Sequence, residues 1–201
     1  MRLFFTRLFV SERKQIAMIA DEKSPARISH RRFATSCSEM RIIMNKIASF
    51  TVNHLDLLTG VYVSRKDYIG DVCLTTFDLR FTRPNEEPPM DTPGIHSIEH
   101  LVATFLRNHA EWAEKTIYFG PMGCRTGCYL LLKGRLEPKD ILDLIKRLWK
   151  FISTFEGEIP GAAAKDCGNY LDQNLPMARY EAKKYLEKME KFTESNLAYP
   201  E

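Results

Sequence analysis

Between Leu74 and Phe105 the sequence changes period, and that stretch constrains the fold more than any other. Residues 74–82 alternate: Phe77, Leu79 and Phe81 point one way, and Asp78, Arg80 and Thr82 the other, as in a half-buried strand. Residues 83–93 hold Pro84, Pro88, Pro89 and Pro93, which breaks any regular element and predicts a loop. Ile98, Leu101, Val102 and Phe105 then repeat at helical spacing, with Asp91 or Thr92 as the cap and Pro93 in the first turn. A strand with one apolar face next to a helix with one apolar stripe predicts layered packing.

The remaining elements agree with that layering. Residues 47–52 and 60–63 read as short strands, and 116–119 and 128–132 as strands around the break at 120–127. Pro138 opens a helix that turns Ile141, Leu144, Ile145, Leu148 and Ile152 inward. Pro176 opens another, with Ala182, Tyr185, Leu186 and Met189 on one stripe, after a looser segment rich in small residues at 156–173. Strands cluster early and helices separate them unevenly. The expected class is α+β, an antiparallel sheet with helices packed on it and a metal site on one helix.

With 201 residues the chain has room for one domain of ordinary size. No apolar run approaches the roughly 18 residues that cross a bilayer, so no membrane association is expected. The net charge of +3 is unevenly placed. Residues 1–43 hold seven Arg and two Lys against four acids, whereas the remainder holds 20 basic and 22 acidic residues. Residues 44–201 therefore give no electrostatic case for nucleic-acid binding. The basic stretch 1–43 reads as a dispensable, disordered N-terminal extension, and 44–201 as a single catalytic domain. Five cysteines, an odd number, suit a reducing, cytoplasmic compartment in which thiols serve chemistry or metal binding.

The sharpest motif is His96-Ser-Ile-Glu99-His100. On a helix, residues i and i+4 share a face, so the two imidazoles can hold one metal ion. Glu99 stands at the edge of that face, able to reach a bound group without ligating. A chain of this composition yields this pattern by chance about 0.01 times, which argues against a coincidence of surface histidines. An open catalytic site needs a third protein ligand, and Cys167 in its small-residue segment is the best candidate. A thiolate beside two imidazoles suits Zn²⁺ or Fe²⁺. Cys124 lies between glycines in the turn 121–127, exposed at a strand break, with Arg125 or Arg80 able to favour its thiolate. Cys128, inside a strand, reads as core.

The spacing alone leaves alternatives open. His-x-x-Glu-His also marks inverzincin peptidases, for which Glu156 or Glu158 would be the third ligand. A structural zinc domain would need four closed ligands.

The full set of motifs resembles the S-ribosylhomocysteine lyases, the LuxS family, over nearly all of residues 44–201. Its marks are Ser49-Phe50 with His54, Phe77-Asp-Leu-Arg-Phe81, His96-Ser-Ile-Glu-His100, Pro121-Met-Gly-Cys-Arg-Thr-Gly127 and Cys167-Gly168. The resemblance implies cleavage of S-ribosylhomocysteine to homocysteine and 4,5-dihydroxy-2,3-pentanedione, the precursor of autoinducer-2. It implies Fe²⁺, one per subunit and replaceable by Zn²⁺, on His96, His100 and Cys167. It further implies catalytic roles for Cys124 and Glu99, substrate contacts from Ser49, His54 and Arg80, and a homodimer with shared active sites. Ser49 and His54 are then expected to approach from the partner subunit. Where the family often has Asp shortly before Pro-Met-Gly-Cys, this chain has Tyr118, a phenol without charge at neutral pH.

Overall fold

The structure is a computed structural model that describes residues 50–200. The expected extension, residues 1–43, and the candidate Ser49 lie outside them. Four strands, β1 (Gly60–Ile69), β2 (Val72–Arg80), β3 (Thr116–Pro121) and β4 (Gly127–Lys133), form one antiparallel sheet in the order β1-β2-β4-β3. Three helices accompany it: α1 (Thr92–Arg107), α2 (Pro138–Thr154) and α3 (Leu175–Met189). This is the expected α+β arrangement.

The sheet is built by local chemistry. β1 and β2 are joined by the two residues Gly70 and Asp71, and Gly70 takes φ +58, the left-handed geometry that a tight hairpin loop requires. β1 runs six residues beyond the expected 60–63, because Ser64–Asp67 are polar and lie on an exposed edge strand where an apolar pattern is not needed. The strand expected at 47–52 is not formed in its described part, which is 3₁₀ helix, turn and bend.

One face of the sheet presents Val61, Phe77, Leu79, Phe119, Cys128, Leu130 and Leu132 to the helices. The stripes of α1 (Ile98, Leu101, Val102) and α2 (Ile141, Leu144, Ile145, Leu148, Ile152) close that core, with Ala178, Ala182 and Tyr185 of α3. Phe81, Trp149 and Tyr185 meet edge to face, their ring centroids 4.6 to 5.3 Å apart, and lock α2 and α3 beside the sheet. The apolar half of each alternating pattern is thus where the sequence puts it.

The second face departs from expectation. Asp78, Arg80 and Thr82 were read as the outward half of a half-buried strand, yet all three are buried. Gly127, opposite Arg80 on β4, leaves room for its side chain, since a Cβ there would stand 3.4 Å from Arg80 Nε. Beside it, Asp78 sits between Tyr62 and Tyr129 on the neighbouring strands, and Tyr199 covers it. Burial of a charged pair here keeps it rigid, because both partners are held by hydrogen bonds.

Candidate metal centre and the neighbouring thiol cleft

The N-terminal half of α1 carries His96, Glu99 and His100, and the loop between α2 and α3 folds over it. Asp91 holds the N-cap position of α1 without a side-chain cap bond, and Pro93 lies in the first turn, so the helix starts one turn before His96. His96 Nε2 lies 3.1 Å from His100 Nε2 and 3.4 Å from Cys167 Sγ, and the three donor atoms lie within 4.8 Å of one another. Among the described residues this is the one cluster that could hold a metal ion. Glu156 and Glu158, the alternative third ligands, are exposed and stand outside it.

The ring nitrogens that point away from the cluster define its chemistry. His96 Nδ1 is 2.8 Å from the Asp172 carbonyl oxygen, and His100 Nδ1 is 2.8 Å from that of Pro160. A carbonyl can only accept, so each Nδ1 carries the proton and each Nε2 presents a lone pair inward. Two lone pairs facing each other at 3.1 Å, with a thiol beside them, repel unless a cation lies between them. The donor set fits a borderline-soft divalent ion. Gln173 Nε2 is 3.3 Å from both nitrogens of His96, hence over the ring and off the Nε2 lone pair, and its Oε1 accepts from Ser97. Gly161, at φ +75, lets the loop pass His100, since a Cβ there would lie 3.2 Å from Nδ1. Pro160, Gly161, Asp172 and Gln173 had no signal in the sequence beyond the small-residue character of their segment.

Cys124 sits in the β3–β4 loop, where Arg125 takes the left-handed φ of +58. Its neighbour Thr126 is hydrogen-bonded to it at 3.1 Å, and Arg80 Nη1 donates to Thr126 Oγ1 at 2.6 Å and to Cys124 Sγ at 3.7 Å. Partial burial opposes ionisation, but the hydroxyl and backbone N–H of Thr126 and the charge of Arg80 outweigh it, so the thiol is held below its ordinary pKa. Arg80 itself is 3% exposed and paired to Asp78 at 2.6 Å, so it acts on the thiol from beneath the surface. Of the two arginines considered for this role, Arg80 is the one in contact.

Cys124 and Thr126 open into a cleft of about 560 Å³, lined by His54 and the proline loop 84–89. His54 Nδ1 donates to the Val52 carbonyl at 2.9 Å, which leaves Nε2 as its free nitrogen. His54 and Cys124 of one chain thus share one cleft. Tyr118 is half-exposed, stands apart from the residues lining this cleft and lies across Gly120, where a Cβ would collide with its ring.

Buried Cys128 links the two halves. Burial first, then the charges of Glu99, Asp78 and Cys124, push its thiol far above the ordinary range, against the pull of Arg80. Glu99 on α1 and Cys124 on the sheet loop therefore both act electrostatically on this one buried thiol. The Glu99 carboxylate is half-buried and makes no hydrogen bond or ion pair among the described residues, which leaves it available to move a proton.

Comparison with known proteins gives one consistent result. The sequence model of the family described as S-ribosylhomocysteinase (LuxS) matches residues 47–196. An S-ribosylhomocysteine lyase of Clostridium acetobutylicum is 63% identical over 158 residues, covering 79% of this chain and 100% of that protein. One from Clostridium beijerinckii is 64% identical over 158 residues, covering 78% of this chain and 99% of that protein. One from Porphyromonas gingivalis is 53% identical over 159 residues, covering 79% of this chain and 100% of that protein.

Proposed function

The chain belongs to the S-ribosylhomocysteinase (LuxS) family, and from that premise we propose how its own residues divide the work of the reaction. It is a metal-dependent carbon–sulfur lyase that cleaves S-ribosylhomocysteine to homocysteine and 4,5-dihydroxy-2,3-pentanedione, the autoinducer-2 precursor. The sulfur leaves from the far end of the ribose from the aldehyde. The carbonyl must first migrate twice along the sugar, and β-elimination then breaks the C–S bond.

The observation that carries the site assignment is the inward convergence of His96 Nε2, His100 Nε2 and Cys167 Sγ. These three residues hold the metal, Fe²⁺ in our reading, one per subunit, with Zn²⁺ able to replace it. When bound, the ion supplies Lewis acidity to the sugar carbonyl. Cys124, kept partly as thiolate by Thr126 and Arg80, takes a carbon-bound proton at each migration and again at the elimination. Glu99 moves the complementary hydroxyl proton beside the metal ligands. Each migration returns the abstracted proton to the neighbouring carbon, so the sugar is isomerised without oxidant or reductant. His54, lining the same cleft as Cys124, and Ser49 contact the substrate, while Arg80, the third residue that the resemblance implies, serves the reaction by holding the Cys124 thiol from beneath the surface.

The enzyme works as a homodimer with active sites shared between subunits, in the cytoplasm, without nucleic acid or membrane. No helix of the described residues is long and apolar enough to cross a membrane. Residues 1–43 are dispensable and 44–201 form the lyase unit. The test is anaerobic incubation of the iron-loaded protein with S-ribosylhomocysteine, followed by a thiol assay. Stoichiometric homocysteine release is expected, and absence of release from metal-replete protein would overturn the reading.

A further inference from the structure

On the second face of the sheet, a buried charge is held from an unexpected direction. Asp78 is 2% exposed, and one of its oxygens, Oδ2, takes both of its hydrogen bonds: Arg80 Nη2 at 2.6 Å and the Tyr199 hydroxyl at 2.9 Å. Asp78 Oδ1 and Arg80 Nε, the atoms that a two-pronged pair would join, have no partner among the described residues. The ion pair is therefore end-on, and an end-on pair can swivel about its single contact unless a second donor fixes the carboxylate. Tyr199 is that donor. Its ring stacks on Tyr62 at 4.9 Å and 12° between planes, so packing places the hydroxyl independently of the hydrogen bond it makes. Tyr62 directs its own hydroxyl elsewhere, to the Leu58 carbonyl at 2.9 Å.

From Arg80 the contacts continue to the thiol, through Nη1 to Thr126 and Cys124. We propose that Tyr199 is a positioning residue for Cys124: its hydroxyl fixes the Asp78 carboxylate, which turns the Arg80 guanidinium onto the Cys124 sulfur. The proposal rests on the reading of Cys124 as the proton-transferring thiol.

The surrounding groups leave Arg80 as the charge that this contact can tune. Tyr62 on β1, Tyr129 on β4, Tyr185 on α3 and Cys128 on β4 all feel Asp78: burial first, then that charge, keeps the tyrosines protonated, and for Cys128 burial and Glu99 come ahead of it. Ser64 bonds to the Tyr199 oxygen, and Arg65 acts on Tyr129. Glu99 reaches Cys128, and His54, Glu86 and Glu87 line the cleft in front of Cys124. The Tyr199 hydrogen bond disperses part of the Asp78 charge. Without it, the carboxylate neutralises Arg80 more completely and is free to draw it from the sulfur.

The experiment uses the full, metal-loaded chain and brief alkylation by iodoacetamide, with the label mapped to Cys124 as a function of pH. Tyr199→Phe keeps the ring stack and loses only the hydroxyl. Its alkylation midpoint should rise by about half a pH unit, with the rate below the midpoint about twofold slower. Tyr199→Ala should move the midpoint equally far, and Tyr62→Phe should leave it in place. A midpoint unchanged in Tyr199→Phe, or moved as far by Tyr62→Phe, overturns the proposal. The readout is independent of turnover. If Cys124→Ala still released homocysteine, the catalytic reading would fail while the Tyr199 effect on the thiol would still be measured.

Discussion

Arg80 and Cys124 are 44 residues apart in sequence, yet Arg80 Nη1 lies 3.7 Å from the Cys124 sulfur, with Thr126 bonded to both. The thiol is thereby placed beside a cation that is itself buried and paired. This arrangement gives the reactive cysteine a lowered pKa without exposing an arginine to the cleft.

The sign of that shift sets a pH prediction. A thiol whose pKa is lowered stays ionised as pH falls through the range in which an ordinary thiol protonates. Cys124 should therefore be alkylated near neutral pH and lose reactivity only at lower pH. Cys128, raised by burial and by the charges around it, should stay unlabelled throughout. Mass spectrometric mapping of label against pH checks this. Labelling of Cys128 before Cys124 would contradict it.

Arg80→Met should raise the Cys124 midpoint and also destabilise the fold, because Asp78 would keep a buried charge with no cation opposite it. Breaking a buried pair from one side costs about 3–5 kcal/mol. Asp78→Asn combined with Arg80→Met should recover much of that loss in chemical denaturation, yet leave the thiol at its raised midpoint. Equal stability of the single and double variants would be the contrary result.

The metal ligands give a separate prediction. His96→Ala, His100→Ala or Cys167→Ala should each lose the ion on dialysis, since two donors remain where three converge. In the wild type, chelation should unmask Cys167 to alkylation, because a bound thiolate is shielded. Full metal retention by Cys167→Ala would remove it from the ligand set.

Gly161→Ala tests the loop that holds His100. The position has φ +75, and a Cβ would press on the imidazole at 3.2 Å. A left-handed non-glycine residue costs about 1–3 kcal/mol, which in a chain of this size lowers the melting temperature by about 2–9 °C. Metal should also dissociate faster, because the Pro160 carbonyl that sets the His100 tautomer shifts with the loop. Calorimetry and metal release to a chelator measure both effects.

How far the sequence alone reaches is visible in particular residues. Alternation placed Phe77 and Leu79 in the core, and the i, i+4 spacing brought His96 and His100 together. Both are local periodicities, fixed by the geometry of a single element. The same alternation put Asp78 and Arg80 outward, and they are buried, because the segment carrying Tyr199 comes from 121 residues away to cover them. Pro160 and Asp172 support the histidines through backbone carbonyls, which every residue has and which leave no mark in side-chain identity. The polar length of β1 was missed for a related reason: an edge strand needs no apolar face.

A chain that starts at Met44 should fold and turn over like the 201-residue chain, since the family match begins at residue 47 and the motifs follow it. Loss of solubility or of activity on truncation would assign residues 1–43 a part in the lyase unit.

The division of labour between metal ligands and thiol is tested most directly by homocysteine release from Cys124→Ala, compared with wild type at equal metal content under anaerobic conditions. A proton-transfer group contributes about 10²- to 10⁴-fold in rate, and its repeated use in one cycle favours the upper end. The account predicts full metal occupancy with turnover reduced by that amount. Turnover close to wild type, or loss of the metal along with the thiol, would contradict it.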